Sequence, residues 1–176
     1  MQPIFYDADL SAQHQQFILK EPESKHAIKV LRLSVNDTLL LVNGKGLLAE
    51  AKIIDAHPKR CAVSIIFRQE NYNPLPYYLH VAVAPTKNID RMEWFVEKAT
   101  ETGISEITFL LSENSERKVV KTERLQKVAV AAMKQSQKAF LPKINAIEKV
   151  PIFLKNHQNF KNKYIAHCVD ENNKEQ

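Results

Sequence analysis

The chain has 176 residues, 44% of them hydrophobic, and a formal net charge of +5. That length accommodates one or two small domains, and that apolar share supports a packed core, which excludes an intrinsically disordered chain. Three glycines in the whole sequence exclude both a glycine-rich dinucleotide loop and a P-loop, and no apolar run approaches the ~18 residues of a membrane helix.

Residues 1–72 read as a small β domain with one helix. Short apolar runs at Ile4–Tyr6, Phe17–Leu19, Thr38–Val42, Leu47–Ile54 and Cys61–Phe67 mark the strands. Asn43-Gly44-Lys45-Gly46 separates two of them and is a strong hairpin signal, because Asn-Gly accepts positive φ at low cost. In the strand that follows, Leu48, Glu50 and Lys52 alternate with Leu47, Ala49 and Ala51, as on a half-exposed strand. Glu23 to Leu33 is the helical exception, with Ala27, Val30 and Leu31 on one face. Closely spaced short strands suggest a small barrel. The two prolines of Asn73-Pro74-Leu75-Pro76 favour an extended connection, and the domain border is placed there, with residues 73–176 forming the second domain.

Leu79–Gly103 organises the second domain. An apolar run, Leu79–Ala84, is broken at Pro85 and followed by a polar corner, Thr86-Lys87-Asn88. Met92, Phe95, Val96 and Ala99 then fall at helical spacing. Asn88 is the expected N-cap, Asp90 the first-turn acid, and Gly103 the left-handed residue after the helix, with Ile104 behind it. Ile107–Leu111 supplies the next strand and completes a βαβ unit. A second helix is expected over Lys121–Lys138, capped by Thr122 and stopped by Pro142, with an apolar stripe from Leu125 to Met133. Ile144–Ile147 reads as a strand, Ile152–His157 as a short helix with Pro151 at its start, and Tyr164–Val169 as the last strand before a polar end.

Ligands of βαβ units sit where strand carboxyl ends meet helix N-termini. That corner carries Lys87 and Arg91, and Arg117 follows the second strand at the same edge. Cations are unfavourable at a helix N-terminus, so their placement favours contact with a polyanion or a developing negative charge; the competing reading is a solvated first turn with Arg91 paired to Asp90 or Glu93. From Arg117 to Lys143 there are eight cations and one anion, a patch suited to a phosphate backbone or, equally, to a solvated helix face. Six histidines show no metal-ligand spacing; His167 and Cys168, as strand neighbours, point to opposite faces. No metal site is expected, nor a catalytic serine or cysteine. Cys61 and Cys168 make no disulfide framework and fit a reducing cytosol, and no signal pattern opens the chain.

These motifs carry a resemblance. Lys87, Asp90-Arg91-Met92-Glu93-Trp94, Glu97-Lys98-Ala99-Thr100-Glu101, Gly103, Ser115-Glu116-Arg117, Gln135-Ser136 and Leu141-Pro142 resemble the ribosomal RNA small-subunit methyltransferase E family. His26, Val30-Leu31-Arg32 and Gly44-Lys45-Gly46 fit the same pattern. The resemblance implies an α/β fold made of an N-terminal PUA-like β-barrel and a SPOUT-type, trefoil-knotted methyltransferase domain that dimerises through the knot. It implies S-adenosylmethionine-dependent methylation of N3 of a uridine in 16S rRNA, on the small ribosomal subunit, in the cytoplasm. On that reading Arg91 and Arg117 are catalytic, and Lys87, Arg32, Arg124, Lys127, Gln135, Ser136 and Lys138 bind substrate. The family pattern continues with a Gly-Pro-Glu-Gly-Gly loop and a leucine- and arginine-rich segment that bind the methyl donor and form the knot. Neither occurs here, so the chain reads as a truncated member, catalytically silent alone, with no assignable cofactor residue. A non-catalytic RNA-binding or ribosome-assembly protein, using the barrel and the basic patch, is the alternative.

Overall fold

The computed structural model describes residues 2–113 and 115–166. The first part is a five-stranded sheet in the order β1-β3-β4-β5-β2, formed by β1 (Ile4–Tyr6), β2 (Gln16–Ile18), β3 (Thr38–Val42), β4 (Leu48–Asp55) and β5 (Ala62–Gln69). β1 runs parallel to β3 and every other pair is antiparallel. Register shifts between Glu50 and Ala51 and between Ile53 and Asp55 bend the long β4–β5 ladder, and the sheet curls into a half-barrel with β1 and β2 as its edges. Its inside is Phe5, Leu19, Leu39, Leu41, Ala51, Ile53 and Val63.

The helix expected over Glu23–Leu33 is corrected. α1 (Glu21–Lys25) starts earlier, with Pro22 in its first turn, and widens into a π-helical turn, His26–Val30. Ser24 explains the short tight start: its buried hydroxyl donates to the Leu19 carbonyl and accepts from the Cys61 amide. The wider turn rotates the expected apolar face, so Ala27 is buried while Val30 and Leu31 are exposed. Arg32, at φ +57°, ends it.

The second part is a three-stranded parallel sheet, β6 (His80–Val83), β7 (Glu106–Leu111) and β8 (Lys143–Lys149), in sequential order. α2 (Ile89–Thr102) and α3 (Thr122–Gln135) connect the strands and cover one face, where Val81, Val83, Ile107, Phe109 and Ile144 meet Met92, Val96, Leu125 and Ala129. The cap of α2 is as the sequence predicts: the Asn88 side chain accepts from the Asp90 amide at 2.9 Å. Gly103 has φ +96°, and Ile104 donates back to the Ala99 carbonyl. α3 differs. Thr122 is its first residue, no side chain caps it, and it stops well before Pro142, because Gln137 takes φ +54° and the Lys138 amide turns back to the Met133 carbonyl. Gln137 thus occupies the position that glycine usually fills. α4 (Val150–Asn156), with Pro151 in its first turn, lies on the other face of the sheet. The strand expected at Tyr164–Val169 is absent over 164–166, where Tyr164 and Ile165 are exposed without regular structure; 167–169, with His167 and Cys168, lie outside the described residues.

The hairpin tip joins the two parts. The Gly46 amide donates to the Ala139 carbonyl and the Leu141 amide to the Gly44 carbonyl, both at 2.9 Å, so that Lys45 and Phe140 form a two-residue antiparallel bridge. Beside it Val42 and Leu48 pack on Met133 and Ala139. Lys134 of α3 reaches Glu23 of α1 at 2.7 Å and stands over the Phe5 ring. Gly46 is required twice: its φ is +95°, and a Cβ there would enter the Phe140 ring. Gly46→Ala is therefore expected to lower stability by about 1–3 kcal/mol, read as a lower urea midpoint. Lys45→Ala, an exposed neighbour, should leave the midpoint unchanged. Equal midpoints for Gly46→Ala and the parent would show that the ring moves aside at no cost.

Candidate nucleic-acid interface and catalytic corner

The sequence-predicted site residues fall into two groups at opposite ends of the parallel sheet. Lys87, Arg91, Arg117, Arg124 and Lys127 stand at the carboxyl edge, on the corner after β6, the start of α2, the β7–α3 connection and the start of α3. Gln135, Ser136 and Lys138 stand past the far end of α3, which is 14 residues long, or ~21 Å at 1.5 Å per residue. Arg32 is exposed on the half-barrel at the end of the π-turn.

At the carboxyl edge the cations do different work. Arg117 donates from Nε to the Thr86 carbonyl at 3.1 Å and from Nη2 to the Lys87 carbonyl at 2.5 Å. Charge-assisted bonds to two successive carbonyls tie the β7–α3 connection to the β6–α2 corner. The corner is further shaped by Thr86 Oγ1 donating to the Asn88 carbonyl at 2.8 Å. Arg124, rather than Arg91, takes the acids of the first turn of α2, pairing with Glu93 and approaching Asp90 at 4.0 Å. Lys87 comes within 4.0 Å of Glu116, with both side chains largely in water, an arrangement of little energetic weight. No ion pair among the described residues involves Arg91, Lys118, Lys121 or Lys127, and all four are exposed. Lys118 and Lys121 were legible only as members of a charged window; the structure singles them out by leaving them unneutralised.

At the far end Ser136 Oγ donates to the Ala132 carbonyl at 2.7 Å, closing α3. Lys138 lines a cleft with linker residues Leu75, Tyr77 and Tyr78 and with Phe140. Sequence reasoning passed over these aromatics, whose only signal was Tyr77-Tyr78 directly after a Pro-Leu-Pro linker.

The sheet face under α4 holds a polar network. Glu106 is nearly buried and accepts from the Tyr78 hydroxyl, from Asn145 at 2.6 Å and from Lys143 at 3.0 Å. Asn145 also donates to Thr108 Oγ1, which contacts His80 Nε2 at 2.8 Å. Burial pushes the Glu106 carboxyl up, but the three donors outweigh it and hold it at about 2. Burial, followed by the hydrogen bond to Glu106 and then its charge, holds the Tyr78 phenol protonated up to about 12, so it remains a donor. Burial depresses His80, with His157 and Lys143 adding to the effect against Glu106. Rings of Phe153 and His157 stack at 4.2 Å and close the network from the α4 side.

Comparison with known proteins places this geometry. A model described as an RNA methyltransferase domain matches residues 73–176, and one described as an RNA methyltransferase PUA domain matches 19–66. The chain belongs to the RNA methyltransferase family. Curated proteins named Ribosomal RNA small subunit methyltransferase E share 29% identity over 93% of the chain (Buchnera aphidicola) and 30% over 92% (Rickettsia conorii). The chain spans 66% of the length of each. Among solved structures, a probable rRNA-methyltransferase from Porphyromonas gingivalis is 38% identical, with a TM-score of 0.79 over 86% of this chain and 63% of that one. A Ribosomal RNA small subunit methyltransferase E from Neisseria gonorrhoeae, bound to S-adenosyl methionine, has the same TM-score at 24% identity over 88% of this chain and 65% of that one, a likeness of fold. The family resemblance carried by the DRMEW run is borne out, and so is the fold class of a PUA-type half-barrel followed by an α/β methyltransferase-type domain.

The buried carboxylate of this family member makes a pH prediction. Glu106 has a folded pKa of about 2 against an ordinary 4.5, so its stabilising contribution is full above 4.5 and is lost as pH falls toward 2. His80, depressed below its ordinary 6.5, adds a separate loss as pH falls through that value. Glu106→Gln is expected to lower the melting temperature at pH 7 and to flatten its acid limb between pH 4.5 and 2. A mutant with an unchanged acid limb would show that other groups set the acid response.

Proposed function

We propose that the protein acts in S-adenosylmethionine-dependent methylation of N3 of a uridine in 16S rRNA, with the β6–α2 corner meeting the uracil. The observation that carries this reading is that corner: Arg91, exposed and without an ion pair among the described residues, on the first turn of α2, near Lys87 on a loop strapped by Arg117. Family membership and the names of the relatives support it. A cation at this helix position costs about 0.3–1 kcal/mol, so an anionic ligand is the natural compensation. N3 of uracil must lose its proton to act as a nucleophile, and the negative charge spreads to the ring oxygens. The Arg91 guanidinium and Lys87 ammonium are donors for those oxygens. Arg117 is a positioning residue here, because its guanidinium is engaged by the Thr86 and Lys87 carbonyls. Lys118, Lys121 and Lys127 contact the flanking phosphates, and Arg32 extends the RNA surface onto the half-barrel.

On this reading the methyl-donor site lies outside the glycine-poor second part. Gly103 is the one glycine of the second part; it caps α2 at the end away from the corner, and Leu75 fills the space beside its α-carbon. The donor site, the knot, the homodimer contact and the cytoplasmic setting belong, on this reading, to the whole protein. The same fact favours the second reading, in which this chain binds RNA without catalysing a reaction.

Three measurements test these assignments. Replacing Lys118, Lys121 and Lys127 together with alanine should lower the salt slope of binding to a 16S rRNA fragment by about 2–3 units, whereas an unchanged slope would move the phosphate contacts elsewhere. Arg91→Ala in a full-length version should lower the methylation rate about 10- to 1,000-fold without lowering the melting temperature. Parallel losses of rate and stability would make Arg91 structural. Calorimetric titration of this 176-residue chain with S-adenosylmethionine should give no micromolar binding, and a saturable heat would place a donor pocket among the residues present.

A further inference from the structure

The cleft at the far end of the sheet has no part in the chemistry of the corner. It encloses about 290 Å³ between the linker, the end of α2 and the segment after α3. Tyr77, Tyr78 and Phe140 stand at its rim, 53%, 59% and 38% exposed, an unusual concentration of aromatic surface in water. Among the described residues, Lys138 is the only charged side chain lining it, and no carboxylate does. Lys45, the bridge partner of Phe140, faces a neighbouring cleft that it lines with Asp9 and Glu70.

The walls are held from behind. Tyr78 is tethered through its hydroxyl to Glu106, which Lys143 and Asn145 hold in turn. Phe140 is held by its neighbours' hydrogen bonds to Gly44 and Gly46 and rests against the Gly46 backbone. Leu75 forms the floor over Gly103. Tyr78 and Phe140, fixed at their bases with faces in water, lose little entropy when a flat group stacks on them. The volume lies just below the ~300–1,000 Å³ of small-ligand clefts, a size for a single flat base rather than a larger ligand. An aromatic wall with one cation and no acid is complementary to a base with a phosphate beside it.

We propose that this cleft binds one unpaired nucleotide of the RNA, its base stacked against Tyr77 and Phe140 and its phosphate on Lys138. The inference rests on the RNA-binding reading above and adds a second contact point to it. The ~21 Å length of α2 separates the cleft from the corner, about six stacked nucleotides at ~3.4 Å each. The protein would therefore hold the strand at two places, fixing which nucleotide reaches the corner.

The test is fluorescence anisotropy of the full chain with a fluorescein-labelled 12-nucleotide single-stranded RNA of mixed sequence, across a salt series. Tyr77→Ala should weaken binding about tenfold without changing the salt slope, because stacking releases no counterions. Lys138→Ala should lower the slope by about one unit. Tyr77→Phe, which keeps the ring, should bind like the parent. Phe140→Ala, which also touches the seam, is read alongside its urea midpoint, and Tyr77, exposed on the linker, carries the decision. Ultraviolet cross-linking should map to the 73–78 or 138–141 segment. If the parent binds RNA, the Lys118/Lys121/Lys127 variant weakens it, and Tyr77→Ala and Lys138→Ala leave affinity and slope unchanged, the cleft proposal fails while the RNA-binding reading stands. If the parent binds no RNA, that reading fails and the proposal with it. A Tyr77→Ala variant that changes only the sedimentation coefficient, with RNA affinity intact, would overturn the proposal in favour of a protein contact.

Discussion

The close approach of two backbones at Gly46 sets the relation between the half-barrel and the parallel sheet. A two-residue bridge contributes little by itself, since an intramolecular hydrogen bond nets only ~0.5–1.5 kcal/mol. Its importance is geometric. The Asn43–Gly46 tip is locked from within, with Asn43 Oδ1 accepting from the Lys45 and Leu47 amides at 2.8 and 3.1 Å. A rigid tip that pairs with Ala139–Leu141 places the end of α3, and thus Met133 and Ala139, against Val42 and Leu48. The Lys134–Glu23 pair then closes over a seam that is already formed. Half-buried on both sides, it is far less screened than the Lys87–Glu116 pair.

That seam determines which surfaces act together. With α3 docked on the half-barrel through its last turn, its first turn and the β7–α3 connection point away, toward the corner. The corner is then stiffened from the opposite direction, by Arg117 and by the Arg124–Glu93 pair between the two helices. Cations used in this way are no longer general electrostatic attractors. Fixing the loop that carries Lys87 and Arg91 is a different contribution from neutralising phosphate, and under the proposed function it bears on alignment.

Much of this was legible before any coordinates. The period change at Pro85, the Asn88 cap and the Gly103 stop carry their own local chemistry, and each stands where the residues predict. The Asn-Gly hairpin was equally plain, but its purpose was not: nothing in Asn43–Gly46 names Phe140 as the ring that excludes a Cβ. The π-turn at His26–Val30 was invisible because its cause, the Ser24 bridge between Leu19 and Cys61, joins residues far apart in the chain. The end of α3 was misplaced for a related reason. Pro142 is a strong local stop, but Gln137 enters the left-handed region because the chain must turn there to reach the hairpin, a demand of the seam that outweighs the helical preference of its neighbours.

Charge counting shows the same limit more sharply. In the Arg117–Lys143 window every cation looks alike on paper, and a net count treats all as available to RNA. Folding divides them. Lys134 and Lys143 are bound to Glu23 and Glu106, Arg124 to Glu93, and Arg117 to two carbonyls. What is left for a polyanion is a smaller set: Lys118, Lys121 and Lys127 at the carboxyl edge, with Lys138 alone at the far end beside exposed rings. A field spread evenly over the window would attract RNA without orienting it. Two separated contact points of different chemistry, one ionic beside a cationic corner and one aromatic, constrain both the position of a strand and its direction. Orientation is what the proposed action on one nucleotide among many would require, and the division of cations between structure and surface is compatible with it.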